Sequence, residues 1–499
     1  MRGHFAILSL FVAAGGLAQN PPDSTRKEAP PPRAPGTVEP IQIGGVTVSG
    51  SYRSRLYVWD WFEADSGDSS YAYSGSILRI GLSQKRERWD WNAEFAVPSA
   101  LGLPANPFAP GTQGGLGMGA NYLAANNRAQ NTAMFFPKQL YVNLRKTGAP
   151  SALKIGRFEF ADGGELAPKN GTLAALKNTR VNARLIGTFG FTDVGRSFDG
   201  FQYSYSTKAS GNFTLMGVVP TRGVFQVDGW GWTRSAIGYG SYVRPWGKGA
   251  HAAETRLFAI YFDDFRRILK ADNRPLAARS RDLANSRIGT FGGHSVHAVD
   301  TRRGGIDLLL WGAVQTGKWG VQDHLAHAID VEAGFQPKVL PAVKPWLRGG
   351  FFDGSGDSNP NDNQHETFFQ LVPTPRLFAR FPFFNMMNNR EVFGTLTLRP
   401  HTKVTVSSEF HALRLSNQND LWYLGGGLFQ PQTFGYTGRA TAGRRSLANL
   451  YDTNLEYRMN PRTVLTGYFG YAQGLAVMET IYPRGKNGSF GYLELLYRF

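Results

Sequence analysis

The chain has 499 residues, 54 Lys and Arg against 37 Asp and Glu for a formal net charge of +17, and no cysteine. The absence of thiols excludes a disulfide framework and a thiolate metal site, and 60 Gly, 35 Phe, 20 Tyr and 11 Trp make a palette suited to strands and turns. No stretch beyond the first residues is long and uncharged enough to cross a bilayer as a helix, which excludes an inner-membrane helical fold. The mean hydropathy of −0.29 is that of a soluble protein on average, but a membrane barrel alternates lipid-facing and lumen-facing residues and cancels its own apolar half.

In chain order, Met1-Arg2-Gly3-His4 is a short basic start and Phe5 to Ala14 is an apolar run. Gly16-Leu17-Ala18 then supplies small residues at cleavage positions, so residues 1–18 read as a signal peptide and the mature chain is expected to begin at Gln19. Residues 19–40 are rich in proline and read as a disordered tether. From Ile41 the period changes to two. Val46, Val48, Tyr52, Leu56 and Val58 share one parity, with Thr47, Ser49, Ser51, Arg53 and Arg55 on the other. Trp89, Trp91, Ala93, Phe95 and Val97 alternate with Asp90, Asn92 and Glu94, and Leu140, Val142 and Leu144 alternate with Gln139, Asn143 and Arg145. The same two-sidedness recurs at Phe201 to Ser206, Lys403 to His411 and Asn454 to Arg458.

No helical period competes with it over a comparable length. Coarse counting predicts about 18 strands, within a range of 16–18, in a single domain over 41–499. Closing that sheet into an all-β, transmembrane antiparallel β-barrel removes its edges. Segments 98–136, 161–184, 269–304, 353–389 and 417–447 read as long connections, and long external loops opposite short periplasmic turns are a barrel signature. The last strand pattern places Leu493, Leu495, Tyr497 and Phe499 on one face, with Glu494 and Arg498 on the other. An amphipathic strand closing on Phe resembles the signal by which bacterial outer-membrane barrels are recognised for insertion.

Three segments resemble the alginate-export family of outer-membrane barrels. The first is Lys154-Ile155-Gly156-Arg157, followed after an insertion by Arg184-Leu185-Ile186-Gly187 and Val194-Gly195-Arg196-Ser197-Phe198-Asp199-Gly200. The second is Phe352-Asp353-Gly354-Ser355-Gly356-Asp357-Ser358-Asn359-Pro360-Asn361-Asp362, with Phe368, Phe369 and Pro373-Thr374-Pro375 after it. The third is Asp420-Leu421-Trp422-Tyr423 with Gly425-Gly426-Gly427. The resemblance implies an outer-membrane channel for passive export of an acidic polysaccharide such as alginate, fed by periplasmic secretion partners.

A barrel of this strand number encloses an aqueous lumen, and rings of Arg and Lys in a lumen select anions. The candidate pore-lining residues are Arg53, Arg55, Arg157, Arg184, Arg196, Asp199, Lys344, Arg348, Arg399 and Arg458. A ladder of guanidinium groups can pass the carboxylates of a polyuronate along by paired hydrogen bonds, while interspersed acids keep any one site from holding too tightly. The alternative reading is a general or substrate-specific anion porin for small solutes, differing in lumen width and loop plugging. Expected partners are the acidic saccharide, outer-membrane lipid and lipopolysaccharide, with a monomeric protein, no nucleic acid and no cofactor.

Other chemistries lack their signatures. The 353–362 loop begins like a calcium loop, but Ser358 stands where an EF-hand needs Gly and Gln364 where it needs Glu. His294 and His297, like His324 and His327, are three apart without a zincin carboxylate. The nearest approach to a barrel hydrolase is Ser407 with His411, about 13 Å apart on a strand, too far for direct proton transfer.

Overall fold

Alternation of outward apolar and inward polar residues dictates the architecture that forms. The computed structural model describes residues 41–146, 149–207, 210–374 and 380–499; the expected signal peptide and tether lie outside them. Eighteen long strands pair antiparallel in sequence order. They are β1 Val46–Asp60, β2 Ser70–Lys85, β3 Trp89–Leu101, β4 Phe136–Arg145, β5 Ser151–Phe158 and β6 Phe198–Ser206. Next come β7 Asn212–Pro220, β8 Ser235–Trp246, β9 His251–Asp264, β10 Ser286–Asp300, β11 Gly304–Trp319 and β12 Gln322–Pro337. The last six are β13 Trp346–Gly354, β14 Asn389–His401, β15 Val404–Arg414, β16 Ser446–Arg458, β17 Thr463–Gly474 and β18 Gly488–Arg498. β18 pairs back onto β1 from Ser51↔Arg498 to Asp60↔Ser489, which closes the barrel and leaves no long edge. No helix among the described residues is long and apolar enough to cross a membrane; the strands do so.

The expected parities are seen. Leu56 and Val58 are exposed while Arg55, Tyr57 and Trp59 between and beside them are buried, and Leu140, Val142, Phe201, Leu493 and Leu495 likewise face out. Connections at one mouth are short: 86–88, 146–150, 207–211, 247–250, 301–303, 338–345, 402–403 and 459–462. At the other mouth they are long, at 102–135, 159–197, 265–285, 355–388 and 415–445 above all, although β11 and β12 are joined there by 320–321 alone. The mouth with the short turns is the periplasmic one by the usual asymmetry of outer-membrane barrels.

Two departures from the sequence reading have physical causes. Segment 269–304, read as one loop, contains the full strand β10. Its buried face carries Ile288 and Val296 while its outward face carries Ser295 and His297, and Gly292-Gly293 interrupts it, so apolar and polar residues do not sort by parity. In β4 the register against β3 shifts between Glu94↔Gln139 and Phe95↔Pro137. This β-bulge turns Lys138 into the lumen, where it is 1% exposed.

The long loops fold inward. Their apolar residues join those of the external half of the wall in one core that includes Trp59, Phe189, Phe225, Phe381, Trp422 and Phe490. Two short helices, α1 Met118–Ala125 and α2 Gly171–Leu176, belong to this filling, the second running on into a π turn at Lys177–Val181.

Candidate functional site

Loop 159–197 docks on one arc of the inner wall by exchanging charges with it. Lys177 Nζ lies 2.6 Å from Glu254 on β9. Arg180 Nε donates to Glu332 at 2.8 Å, and Arg184 Nη1 donates to Asp330 at 2.5 Å, both acceptors on β12. The Arg184 guanidinium also lies 4.8 Å from the centre of the Trp311 ring. In the reverse direction Arg256 of β9 donates to Glu165 of the loop at 3.1 Å. Arg348 of β13 donates to Glu332 at 2.6 Å and pairs with Asp307. Arg184 and Arg348 are thus buried anchors whose charge is already matched by carboxylates.

Across the lumen Arg53 and Arg55 project inward from β1. Arg53 Nη1 donates to the carbonyl of Gly190 at 2.7 Å, and Arg55 Nε donates to Glu494 at 2.6 Å across the closing seam. Tyr57 OH donates to Asp193 at 2.8 Å. Lys138 Nζ donates to the carbonyls of Val194 and Arg196 at 3.1 Å each, which ties the end of the same loop to β4.

Arg196, a candidate pore-lining residue, lies in that loop just before β6 and is fully buried. Its Nη2 donates to Gly426 O at 3.3 Å, its charge centre lies 5.6 Å from the Phe189 ring, and Nε and Nη1 have no hydrogen-bond partner. Arg439, in the loop between β15 and β16, is also buried without a carboxylate. It donates to Gly115 O at 2.8 Å and to the Tyr482 hydroxyl, with its charge 5.1 Å from the Trp422 ring. Gly115, which accepts from Arg439, and Phe189, whose ring lies under Arg196, line a cavity of about 30 Å³ together with Trp61, Met118, Phe225 and Leu424, room for about one water.

The periplasmic half of the lumen is more open and carries hydroxyls, with Thr397 against Ser407 at 3.2 Å. Lys154 faces it from β5, its Nζ 4.8 Å from the Tyr141 ring centre, and Arg399 from β14 lies 5.9 Å from that of Trp346. Neither has a carboxylate partner among the described residues. Arg458, at the end of β16, is inward in parity and pairs with Glu456. Lys344 is not on a strand but in the exposed turn 338–345.

Arg157 and Asp199 are corrections. Arg157 pairs directly with Leu140, which is 54% exposed, and with Asp199, and so shares the outward parity of Ile155. Lys154 and Arg157 are three apart and cannot share a strand face; Lys154 is the inward one. At the external rim Arg157 and Asp199 form two hydrogen bonds of 2.7 Å, and Trp232 Nε1 donates to the same carboxylate at 2.6 Å. Their direct neighbours Gly156 and Gly200 have φ of +125° and +154°, and a Cβ on either would strike a carbonyl of the next strand.

Sequence reasoning missed Lys138, Lys154 and Arg439. A bulge hides the first from any parity count, and the last lies outside the barrel strands. Glu409, His411 and Asp452 are the one group of three metal-ligand types in reach of a common ion among the described residues. His411 Nδ1 pairs with Glu391 and Nε2 lies 3.3 Å from Glu409, so both nitrogens face carboxylates, and the Arg380 charge acts on Asp452. That is an ion-pair network. His294 faces Glu254 inside the barrel while His297 meets His251 on the outside, so their spacing divides them between faces. In 353–362 the acids turn to separate partners: Asp353 accepts from Arg390 at 2.7 Å, Asp357 from Asn359 N at 3.0 Å, and Asp362 from Gln364 N at 3.0 Å.

The external loops 355–388 and 415–445 are clamped by Asp420, which accepts from Asp357 N at 2.9 Å, Thr367 Oγ1 at 2.6 Å and Tyr423 OH at 2.7 Å. Burial pushes the Asp420 carboxyl up to about 6 and that of Asp357 up to about 7, the latter helped by the Asp420 charge.

A closed barrel with charged loops packed into its lumen is the form of an outer-membrane channel, and the family profile described as alginate export matches residues 121–473. The chain belongs to the alginate-export family. Membership places it as an integral outer-membrane protein of the channel and porin class. No curated protein matches the chain. Among solved structures, this alginate-export barrel is similar to OpdK of Pseudomonas aeruginosa, at 9% identity over 91% of this chain and 98% of that one, with a TM-score of 0.54. OccK9 (OpdG) of the same organism gives 9% identity, 91% and 98% coverage and a TM-score of 0.55. OccAB2 of Acinetobacter baumannii gives 10% identity, 92% and 98% coverage and a TM-score of 0.55. At such identities the likeness is one of fold.

Proposed function

We propose that the barrel is an anion-selective channel through which an acidic polysaccharide such as alginate leaves the cell passively. The observation that carries this reading is the pair Arg196 and Arg439, two buried guanidiniums at the loop junction with no carboxylate. A buried charge without a counter-charge costs several kcal/mol, and the other buried arginines of the loops and wall avoid that cost by pairing with acids. A carboxylate in transit would supply the missing counter-charge. Lys154 and Arg399 extend the same positive field toward the periplasm, where it raises the local concentration of anions. No bond is made or broken. The protein acts as a monomer and receives polymer from periplasmic secretion proteins, and the loop junction gates it.

The test is reversal potential in planar bilayers under a salt gradient, followed by titration with mannuronate or guluronate oligomers and with a neutral glucan. Anion preference and block by uronates alone are expected. Arg196→Met should lower the preference, whereas Arg157→Gln, on the outer rim, should leave it unchanged. Indifference to uronates would overturn the polysaccharide reading. A second reading, a porin for small carboxylates, is favoured by the inward packing of the long loops into one core with the wall and by the crystallisation of the similar OpdK with vanillate. Passage of vanillate-sized acids without uronate block would select it.

A further inference from the structure

The eight short turns at the periplasmic mouth have one chemical feature in common: each contains at least one Lys or Arg, and Glu87 is the only acid within them. The external connections carry acids as well as bases, with Glu63, Asp65 and Asp68 in 61–69 and Glu159, Asp162 and Glu165 beside Lys177, Arg180 and Arg184 in 159–197. Arg88, Lys248, Arg302, Arg303 and Arg462 are exposed in their turns and have no carboxylate partner among the described residues. This basic ring lies outside the lumen and is not used by the proposed permeation path.

Its height on the barrel identifies what it meets. Trp89, Trp246, Phe335, Tyr457 and Tyr497 are exposed on the outer wall within a few residues of the periplasmic ends of β3, β8, β12, β16 and β18. Outward aromatics at strand ends mark the interface between acyl chains and headgroups. Arg88 is one residue beyond Trp89 and Lys248 two beyond Trp246. At about 3.3 Å per residue their backbones stand roughly 3–7 Å past the girdle, and a Lys or Arg side chain there can stay among lipid phosphates while its stem follows the apolar wall.

We propose that the ring is a binding surface for anionic phospholipid headgroups of the periplasmic leaflet, the described turns each offering one or two cations to a phosphate. Guanidinium and ammonium groups pair with phosphate oxygens by charge-assisted hydrogen bonds. Repetition around the whole circumference makes the attraction cumulative and independent of rotation about the barrel axis. The field of such a surface falls off within a Debye length, about 8 Å at physiological salt, so it acts on lipids in direct contact.

The experiment uses the full chain in neutral detergent micelles doped with phosphatidylglycerol or with phosphatidylcholine, and follows heat unfolding by gel mobility. Phosphatidylglycerol should raise the melting temperature above phosphatidylcholine by at least about 3 °C, and 1 M salt should abolish the difference. Inorganic phosphate at the same concentration should not reproduce it. The variant Arg88→Gln, Lys248→Gln, Arg302→Gln, Arg303→Gln should lose the difference while keeping its melting temperature in phosphatidylcholine. Equal stabilisation by the two lipids, or a difference that survives in the variant, overturns the proposal. If the fourfold variant does not fold, Arg302→Gln with Arg303→Gln should show a partial loss. A variant that retains the lipid preference but loses block by uronate oligomers added from the periplasmic side would assign the ring to the polymer and equally overturn it.

Discussion

Arg184 and Arg196 share one loop and have opposite electrostatic situations. Arg184 is held by Asp330 and lies 3.9 Å from Glu332, two acids buried in the wall. Arg184→Met would leave them with less compensation, a change that costs about 3–5 kcal/mol for a broken buried pair. Because the backbone ladder of the barrel is untouched, the loss should fall on loop docking. Single-channel records should show higher conductance or more gating noise, and wild-type conductance would refute a gating role for loop 159–197. Arg196→Met removes an uncompensated buried cation and leaves no buried acid behind, so the barrel should fold with heat stability equal to or above wild type and lose anion preference. A sequence shows that both residues are Arg. It does not show the distant acid on β12 that makes one an anchor, or the missing acid that leaves the other as a stored charge. Arg157 makes the same point from the outside: its charge suggested the lumen, while pairing with Leu140 places it on the rim.

Individual strands were legible because a barrel imposes period two wherever lipid faces one side and polar groups the other, as in Arg53 to Trp59. Where the loops fill the lumen, that rule fails: inward positions become apolar, and β10, with Ile288 and Val296 inside and His297 outside, loses its pattern. Loops 102–135, 355–388 and 415–445 were legible as loops, but their inward folding was not, since it depends on partners such as Trp422 Nε1 donating to Phe383 O at 2.8 Å. The clamp between the last two of these loops should respond to pH. Asp357 and Asp420 are raised above the ordinary carboxylate value when docked. The docked state therefore binds more protons than the released state, its stabilisation is fully present at acid pH, and it is lost as pH rises through about 6 to 7. Loop opening, read as current fluctuations, should increase between pH 5 and pH 8, and Asp357→Asn should flatten the response. Opening on acidification would have the wrong sign and would remove these carboxylates from the gate.

For the whole molecule the decisive event is closure of β18 onto β1, since until then both strands are open edges. The seam combines the full ladder, the buried Arg55 to Glu494 pair at 2.6 Å, and reciprocal 3.0 Å hydrogen bonds between the backbones of Gly50 and Phe499. Gly50 lies on the outward parity between Val48 and Tyr52, and the Phe499 ring occupies the space where a Cβ at Gly50 would stand. An aromatic ring laid over a strand glycine covers backbone that a side chain would otherwise shield, and it explains why a glycine is tolerated at the closing strand. Phe499→Ala should uncover that backbone, and Gly50→Ala should push the ring away; each is expected to cost about 0.2–1 kcal/mol, the range of one cross-strand pair. In the double variant the new methyl at position 50 fills part of the space the ring has left, so the two losses should not add. Urea unfolding from lipid vesicles would measure this cycle. Strict additivity would mean that the ring and the glycine do not share a site, and that closure rests on the backbone ladder and the buried ion pair.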